Sequence, residues 1–271
     1  MSKEYNDIIF EIEDPVAVIR LNRPDRLNAI TYKMLAELRE AIDRATGDDR
    51  VVGIVITGEG RGFCAGLDSE VLAQTAAAGK TTSSQDTAQR DDVPGMFTYF
   101  LNVPKPIIAA VNGVAAGGGF VLPAMADIRF ASTEAAFTTV FSKRGLISEH
   151  GLSWIMPRLV GPGRALDLLW TSRKIGADEA LKIGLVEYVV PHDDLLTAAK
   201  DYVITLSETV APSSLAETKR LLYRHMGIEY QPALEETQTA MEESLTRVDA
   251  KEGVQSFIER RPPNFPRLGA K

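Results

Sequence analysis

The sequence predicts an α/β fold, and three observations support that class. Short apolar runs typical of buried strands occur at residues 51–57 and 107–111. Segments with helical periodicity alternate with such runs, which favours parallel sheets covered by helices. After residue 195 the pattern is helical throughout. We therefore expect an α/β core followed by a helical region.

The first elements are predicted from periodicity and turn residues. Residues 8–12 and 16–21 are apolar segments separated by an Asp-Pro turn, a combination typical of a hairpin. Residues 31–45 carry apolar side chains at helical spacing, with Thr31 in position to cap the helix. The apolar run at 51–57 predicts a strand buried on both faces.

The later elements follow the same reasoning. Residues 127–130 are a predicted strand, residues 183–190 carry a further strand that ends at Pro191, and residues 107–125 form a second strand-helix unit. Residues 73–92 contain almost no large apolar side chain, which predicts a mobile surface segment. The helical region is predicted to comprise residues 195–206, 213–226 with a capping box at Ser214 and Glu217, 232–247, and 251–260.

A loop of small residues within the second strand-helix unit is the most informative motif. The strand at residues 107–111 leads into Gly117, Gly118 and Gly119, directly before a helix-compatible segment. Three glycines in succession cost backbone entropy, so such a loop suits a close approach of the main chain to a ligand. Free N–H groups at a helix start also suit an anion or a polarised oxygen. The loop is therefore a candidate oxyanion site.

Other interpretations of this loop remain. Glycines after a strand often form an ordinary turn. The spacing G-x-x-x-G-G-G differs from the G-x-G-x-x-G of dinucleotide-binding proteins, and the Gly-Lys-Ser/Thr of a P-loop is absent from the sequence.

A second glycine-containing loop, with the sequence FCAGLD at residues 63–68, follows the predicted strand at 51–57. Two loops that each follow a buried strand can bring backbone N–H groups to one carbonyl oxygen. Two converging donors are what stabilisation of an oxyanion requires. The pair is more specific than either loop alone.

Composition limits the classes of function. The 271 residues are 45% hydrophobic, enough for a substantial core, and the formal net charge of −7 offers no overall attraction for nucleic acid or an anionic membrane. Cys64 is the single cysteine, so an internal disulfide is excluded and a reducing compartment is expected. The three histidines are scattered, so no metal site is expected. We expect a cytoplasmic protein without a membrane span, because the sequence has no sufficiently long apolar run.

Several motifs in the same order along the chain resemble the crotonase superfamily, also called the enoyl-CoA hydratase/isomerase family. They are FCAGLD, IIAAVNGVAAGGG, RLVGPGRALDLL, KIGADEALKIGLV and FIERRPPNF, and the resemblance extends from about residue 8 to about residue 265. It implies a spiral of strand-strand-helix repeats, with residues 1–194 as a core that binds acyl-CoA and catalyses the reaction. Residues 195–271 would form a helical trimerisation region, giving trimers or pairs of trimers.

The resemblance also implies roles for individual residues. The N–H groups of Leu67 and Gly118 match the oxyanion-hole donors of the family. The residue at position 118 is expected to be small, because a Cβ there would crowd the thioester. Positions that contact or shape the coenzyme A pocket are matched by Arg26, Ala65, Asp68, Phe257 and Arg260. No cofactor is expected, since coenzyme A is the carrier of the substrate.

The sequence departs from the family at the two glutamates of typical hydratases, because the matching positions hold Val121 and Phe141. Glu149 matches the single acidic residue of Δ3,Δ2-enoyl-CoA isomerases and ring-opening relatives, and we expect an apolar surrounding to raise its pKa. Alternatively, Glu149 forms a surface ion pair with Arg144 or His150. His150 either orients Glu149, acts as an acid-base group, or is structural.

Two other polar groups are weaker candidates. Cys64 has no base beside it in the sequence, so a nucleophilic role is disfavoured. Asp127, at the start of a predicted strand, is expected to be structural.

The function predicted is an isomerase-type proton shift through a thioester enolate, with Glu149 as base. Hydration, hydrolysis or ring opening with Glu149 and His150 is the first alternative. A non-catalytic acyl-CoA-binding protein is the second, and a dinucleotide-binding dehydrogenase the last. The sequence leaves the acyl chain of the substrate open.

Overall fold

The structure, a computed structural model, describes residues 5–78 and 96–269. Ten strands lie within those residues. They are β1 (Ile8–Glu13), β2 (Val16–Leu21), β3 (Gly53–Gly58), β4 (Gly62–Cys64), β5 (Ile107–Val111), β6 (Val114–Ala116), β7 (Ile128–Ser132), β8 (Ala136–Thr138), β9 (Ile175–Gly176) and β10 (Tyr188–Val190).

Helices separate and follow these strands. In the described residues they are α1 (Tyr32–Gly47), α2 (Ser69–Ala78), α3 (Gly118–Met125), α4 (Leu152–Val160), α5 (Pro162–Thr171), α6 (Ala177–Ile183), α7 (Leu195–Thr209), α8 (Pro212–His225), α9 (Tyr230–Leu245) and α10 (Val248–Glu259). The helical region expected after residue 195 is thus present. None of these helices combines the length and apolar character that a membrane crossing requires.

Two sheets share the strands. The larger has the order β1-β2-β3-β5-β7-β10 and is parallel except for the predicted β1–β2 hairpin, and the smaller has the order β4-β6-β8-β9. Each of the pairs β3–β4, β5–β6 and β7–β8 places its first strand in the larger sheet and its second in the smaller one. This is the predicted spiral of strand-strand-helix units.

Strand β3 shows why the core needs apolar residues in succession. All six of its residues are buried. Ile54 and Ile56 face the main apolar cluster with α1, whereas Val55 faces the other cluster with Val203 of α7. Successive side chains point to opposite faces, so a strand covered by helices on both faces is apolar throughout.

Helix α1 begins where the sequence predicts. The Oγ1 of Thr31 accepts a hydrogen bond from the N–H of Met34 at 3.0 Å, which satisfies one donor that the first turn leaves unpaired. Met34, Leu38 and Ile42 are buried on one face of the helix.

Three predictions differ from the structure, two of them only in part. Residues 183–190 are not one strand, because α6 continues to Ile183 and the N–H groups of both Leu185 and Val186 bond to the carbonyl of Ala180. The chain after Ile183 therefore caps the C-terminal end of α6. Leu185 and Val186 are buried, and their apolar character made the sequence resemble a strand. A strand forms only from Tyr188.

The capping box at Ser214 and Glu217 is also wrong. Helix α8 begins at Pro212, a residue favoured in the first turn because it lacks the N–H that a helix start leaves unpaired. Of the predicted mobile segment 73–92, residues up to Ala78 belong to α2, and residues 79–92 lie outside the described residues.

A half-buried carboxylate joins the helical region to the sheet. Asp127 accepts hydrogen bonds from the N–H of Ile107 at 2.7 Å, from the ammonium of Lys219 at 2.6 Å and from the hydroxyl of Tyr223 at 2.9 Å. The structural role predicted for Asp127 is confirmed. Lys219 and Tyr223 belong to α8, so this node fixes α8 against β5 and β7.

Candidate active site

The FCAGLD loop is held against the segment before α1 by an isolated parallel bridge between Ile30 and Leu67. In this bridge the N–H of Ile30 donates to the carbonyl of Gly66 at 2.7 Å, and the N–H of Asp68 donates to the carbonyl of Ile30 at 2.9 Å. The residues that flank Leu67 therefore make the bonds. The N–H of Leu67 itself points away from Ile30.

The triple-glycine loop presents a second N–H group. Gly117 has a φ of 52° and its N–H donates to the carbonyl of Thr138 at 3.1 Å. Gly118 is the first residue of α3, and the first N–H groups of a helix have no partner inside it. The fold of this loop thus leaves the donor of Gly118 available.

The two loops meet at these donors. A Cβ built on Gly118 would lie 3.9 Å from the nitrogen of Leu67, and one built on Gly66 would lie 3.3 Å from the nitrogen of Gly118. Leu67 and Gly118 are partly exposed, while the neighbouring Gly66 and Gly119 are buried. Neither nitrogen of the pair donates to an acceptor among the residues that the structure describes.

Of the two glycines at the start of α3, close packing requires glycine more strictly at position 119 than at position 118. A Cβ on Gly119 would lie 2.2 Å from the carbonyl oxygen of Cys64, whereas a Cβ on Gly118 would meet the Cδ1 of Ile30 at 3.3 Å. The first distance is impossible without moving the main chain, and the second asks a flexible side-chain end to shift. The glycine triplet therefore serves loop packing.

Asp68 shapes the first loop. Its carboxylate accepts the N–H of Glu70 at 3.1 Å at the start of α2 and pairs with the guanidinium of Arg23 at 3.0 Å. These contacts hold the pKa of Asp68 below its usual range, the N–H of Glu70 contributing most. Arg26 lies exposed on the adjoining turn, and the N–H of Ala65 bonds to the carbonyl of Leu27 in that turn at 2.9 Å.

The positions that match the family's glutamates lie in apolar packing. Val121 is fully buried and Phe141 is 6% exposed, and both belong to the main apolar cluster. The structure therefore offers no carboxylate at either position.

Glu149 lies on the segment that follows β8, and two contacts locate that segment beside α3. At its start, a Cβ on Gly117 would lie 3.2 Å from the Cγ2 of Val140. At its end, a Cβ on Gly151 would lie 3.1 Å from the Cε of Met125, the last residue of α3. The segment thus runs alongside α3 from the glycine loop to the far end of the helix.

His150 holds the carboxylate of Glu149. The Nε2 of His150 is 3.4 Å from the Oε1 of Glu149, and the histidine side chain is 10% exposed while that of Glu149 is 37% exposed. The imidazole packs edge to face against Phe97, with ring centroids 5.8 Å apart. His150 has a φ of 56°, a left-handed conformation that histidine tolerates better than most residues.

The predicted rise in the pKa of Glu149 is wrong. The hydrogen bond from His150 lowers this pKa below its ordinary value and outweighs partial burial, which acts in the opposite direction. Of the two ion pairs suggested by the sequence, the one with His150 forms. Glu149 is therefore ionised at neutral pH.

Cys64 is not suited to nucleophilic chemistry. Its thiol is fully buried and donates to the carbonyl of Asn28 at 3.1 Å. Burial raises the pKa of Cys64 to about 12, so the thiolate is scarce at neutral pH. In the described chain, no group of three His, Cys, Asp or Glu side chains is arranged as metal ligands would be.

Phe257 and Arg260 lie at the end of α10, and both are exposed. The hydrogen bonds and ion pairs of the described residues connect neither of them to the two loops. Their predicted contact with coenzyme A stays a prediction.

Sequence reasoning missed two buried asparagines that brace the loops. The amide of Asn28 donates to the carbonyls of Glu59 and Gly62, and that of Asn112 donates to the carbonyl of Gly60 at 2.8 Å. Asn28 has a φ of 55°. Asparagine is enriched in this conformation, so an Asn in the loop between a strand and a helix is a usable signal for such a brace.

Fold and site together define an α/β protein of strand-strand-helix units that presents two unpaired backbone donors at one point. A family model described as enoyl-CoA hydratase/isomerase matches residues 11–267. The chain belongs to the enoyl-CoA hydratase/isomerase family.

Individual relatives extend over nearly the whole chain. A Rhodobacter capsulatus protein named "Probable enoyl-CoA hydratase" is 36% identical over 263 residues, covering 96% of this chain and 98% of that protein. The 1,2-epoxyphenylacetyl-CoA isomerase of Escherichia coli is 32% identical over 263 residues, covering 95% of this chain and 97% of that protein. The crystal structure of an enoyl-CoA hydratase/isomerase from Mycobacterium paratuberculosis gives a TM-score of 0.82 at 31% identity, covering 97% of this chain and 99% of that one.

Proposed function

We propose that this protein is an acyl-CoA isomerase that moves a proton through a thioester enolate, with Glu149 as the base. The observation that carries the proposal is the combination of two unpaired N–H groups at Leu67 and Gly118 with apolar side chains at positions 121 and 141. The first feature suits enolate formation. The second removes the two carboxylates that syn-hydration uses.

The N–H groups of Leu67 and Gly118 would donate to the thioester oxygen. Negative charge grows on that oxygen as the C2 proton leaves, so both bonds strengthen in the transition state. Removing one such donor costs about 3–4 kcal/mol in measured oxyanion holes. Both donors are main-chain groups, which leaves the side chain of Leu67 unconstrained by this role.

Glu149 would carry the proton between two carbons. The carboxylate removes a proton from C2 of a 3-enoyl thioester, the double bond shifts to C2–C3, and the Glu149 carboxyl group gives a proton to C4. Because the Glu149 side chain is 37% exposed, its proton can exchange with solvent between the two transfers. No atom is added to the substrate. The lowered pKa of Glu149 favours the ionised form that this step requires at its start.

His150 is a positioning residue in this proposal. Its ring is held by Phe97 on one side and contacts the Glu149 carboxylate through Nε2. Fixing the base in one orientation contributes to rate because the reacting groups are then aligned.

Turnover of defined substrates tests the base assignment. Glu149→Gln keeps the shape of the side chain and removes the basic oxygen, so we expect turnover of a 3-enoyl-CoA to fall by about 100-fold or more. Glu235→Gln, on an exposed position of α9, is the matched control and should retain full activity. Near wild-type turnover by Glu149→Gln would remove the base assignment.

Hydration is the alternative that the names of most relatives favour, and it would use Glu149 and His150 on a 2-enoyl-CoA. Product mass separates the two reactions, because hydration adds the mass of water and isomerisation adds nothing. Hydrolysis releases free coenzyme A, and ring opening requires an epoxide substrate. Binding without turnover on any of these substrates would favour the non-catalytic acyl-CoA-binding alternative.

We further propose that coenzyme A contacts Arg26, Ala65, Asp68, Phe257 and Arg260 and that the chain assembles as a trimer or a pair of trimers. Large apolar side chains on α9 and α10 support the assembly, since Met241, Leu245 and Ile258 are 58%, 65% and 68% exposed. Exposed apolar patches of this kind mark interaction surfaces. Sedimentation equilibrium measures the mass, and a purely monomeric protein would contradict this part of the proposal.

A further inference from the structure

A cavity of about 820 Å³ lies between the segment at 98–104, the start of α4 and helix α8. Helix α8 turns one face toward it, because Ala216, Lys219, Arg220 and Tyr223 line the cavity at spacings of three and four residues. Thr218, between them in sequence, is exposed to solvent. One helix face thus forms a whole wall of the cavity.

The polar groups of the side chains on that helix face already have partners within the protein. The ammonium of Lys219 and the hydroxyl of Tyr223 both bond to Asp127. Arg220 pairs with Glu217 at 2.7 Å, and a third cation on the wall, Arg224, pairs with Glu236 at 2.6 Å.

The remaining lining is largely apolar, including Leu101, Met125 and Trp154. A charged ligand would have to displace existing pairs, whereas an apolar one would contact side-chain carbon.

The cavity adjoins the proposed active site at Gly151 and Met125, which both line it. Gly151 directly follows His150, and Met125 ends the helix that begins at Gly118. A helix rises about 1.5 Å per residue, so Met125 lies about 10 Å along α3 from the donor at Gly118. The three carbon–carbon bonds of a four-carbon acyl group, each about 1.5 Å, span less than half of that distance.

We infer that this cavity receives the distal part of the acyl group, and that the substrates are thioesters of apolar acyl groups considerably longer than four carbons. The inference rests on the proposed function in taking the thioester oxygen to lie at Leu67 and Gly118. Short acyl groups would leave the cavity unfilled. Ala216 is a specificity-determining residue, because a larger side chain there would occupy the space of the chain.

Binding of unreactive thioesters tests this inference without depending on catalysis. We expect calorimetry to show that decanoyl-CoA binds at least about tenfold more tightly than butyryl-CoA, because each buried methylene group is favourable. In Ala216→Phe, decanoyl-CoA should lose about tenfold in affinity while butyryl-CoA changes less than about twofold. The matched control Thr218→Phe, on the opposite face of the same helix, should leave both affinities unchanged.

A spectroscopic measurement avoids any substitution in the cavity. The chain has two tryptophans, and Trp170 is 70% exposed. In Trp170→Phe, the emission of Trp154 should shift to shorter wavelength with decanoyl-CoA and not with butyryl-CoA.

Equal affinity for the two thioesters, or no effect of Ala216→Phe on decanoyl-CoA, would overturn the inference, as would an unchanged Trp154 emission. If Glu149→Gln retained turnover while the chain-length preference persisted, the base assignment would fail and this inference would stand.

Discussion

Gly66 is the glycine whose replacement most directly tests the convergence of the two loops. It has a φ of 93°, and a Cβ there would lie 2.7 Å from the carbonyl oxygen of Ala116 and 3.3 Å from the nitrogen of Gly118. In Gly66→Ala the added methyl group therefore pushes directly against the glycine loop. Both neighbours are main-chain atoms, so a side-chain rotation cannot relieve the overlap.

The expected effect has two parts. An L-residue at such a φ costs about 1–2 kcal/mol in backbone strain, and displacing the opposing main chain should bring the loss to about 3 kcal/mol of unfolding free energy. Separating the donors of Leu67 and Gly118 should reduce kcat by about 100-fold or more. Urea unfolding and steady-state kinetics on a 3-enoyl-CoA measure the two parts.

Gly161→Ala is the matched control. Gly161 has a φ of 79°, and an added Cβ would find nothing within 4 Å. With a ψ of 157° Gly161 lies in a region essentially restricted to glycine, so the variant should lose about 1–3 kcal/mol from backbone strain alone and keep its kcat. If Gly66→Ala were as stable and as active as Gly161→Ala, the two loops would not form one site.

Three further predictions concern side chains. In His150→Asn, which tolerates the same φ but is too short to reach the carboxylate, the pKa of Glu149 should rise toward its ordinary value; the acid limb of the pH–rate profile then moves to higher pH, and an unshifted limb would argue against the contact. Asp127→Asn leaves the buried ammonium of Lys219 without its carboxylate and should destabilise the protein by about 3–5 kcal/mol in urea unfolding, whereas a loss below about 1 kcal/mol would contradict the node. Cys64 should resist a thiol reagent at pH 8 in the native protein and react fully in denaturant; rapid native labelling would contradict its burial.

The sequence is most informative where structure is locally determined. Thr31 caps α1 because its hydroxyl reaches a backbone N–H three residues later, and an apolar run such as β3 must be covered on both faces wherever it lies. The run at residues 183–190 misleads because burial, and not extended backbone, made Leu185 and Val186 apolar. Hydrophobicity reports burial more directly than conformation.

The positions of the main-chain donors could be predicted from the sequence, whereas the pKa shift of Glu149 could not. Glycines mark the backbone positions near Gly118, but the direction of the pKa shift at Glu149 depends on where His150 points. That orientation is set with the help of Phe97, which is distant in sequence. The position of the cavity beside α8 could not be predicted either, since its walls come from four separate stretches of the chain.

Exchange of the C2 proton tests the central claim most directly. With a 3-enoyl-CoA in D₂O, the wild-type protein should introduce deuterium at C2 and C4 of the substrate and product without adding the mass of water. In Glu149→Gln this exchange should slow by about 100-fold or more, while Glu235→Gln exchanges at the wild-type rate. Exchange at the wild-type rate in Glu149→Gln, or a product heavier by one water in the wild-type reaction, would contradict an enolate formed by Glu149 for isomerisation.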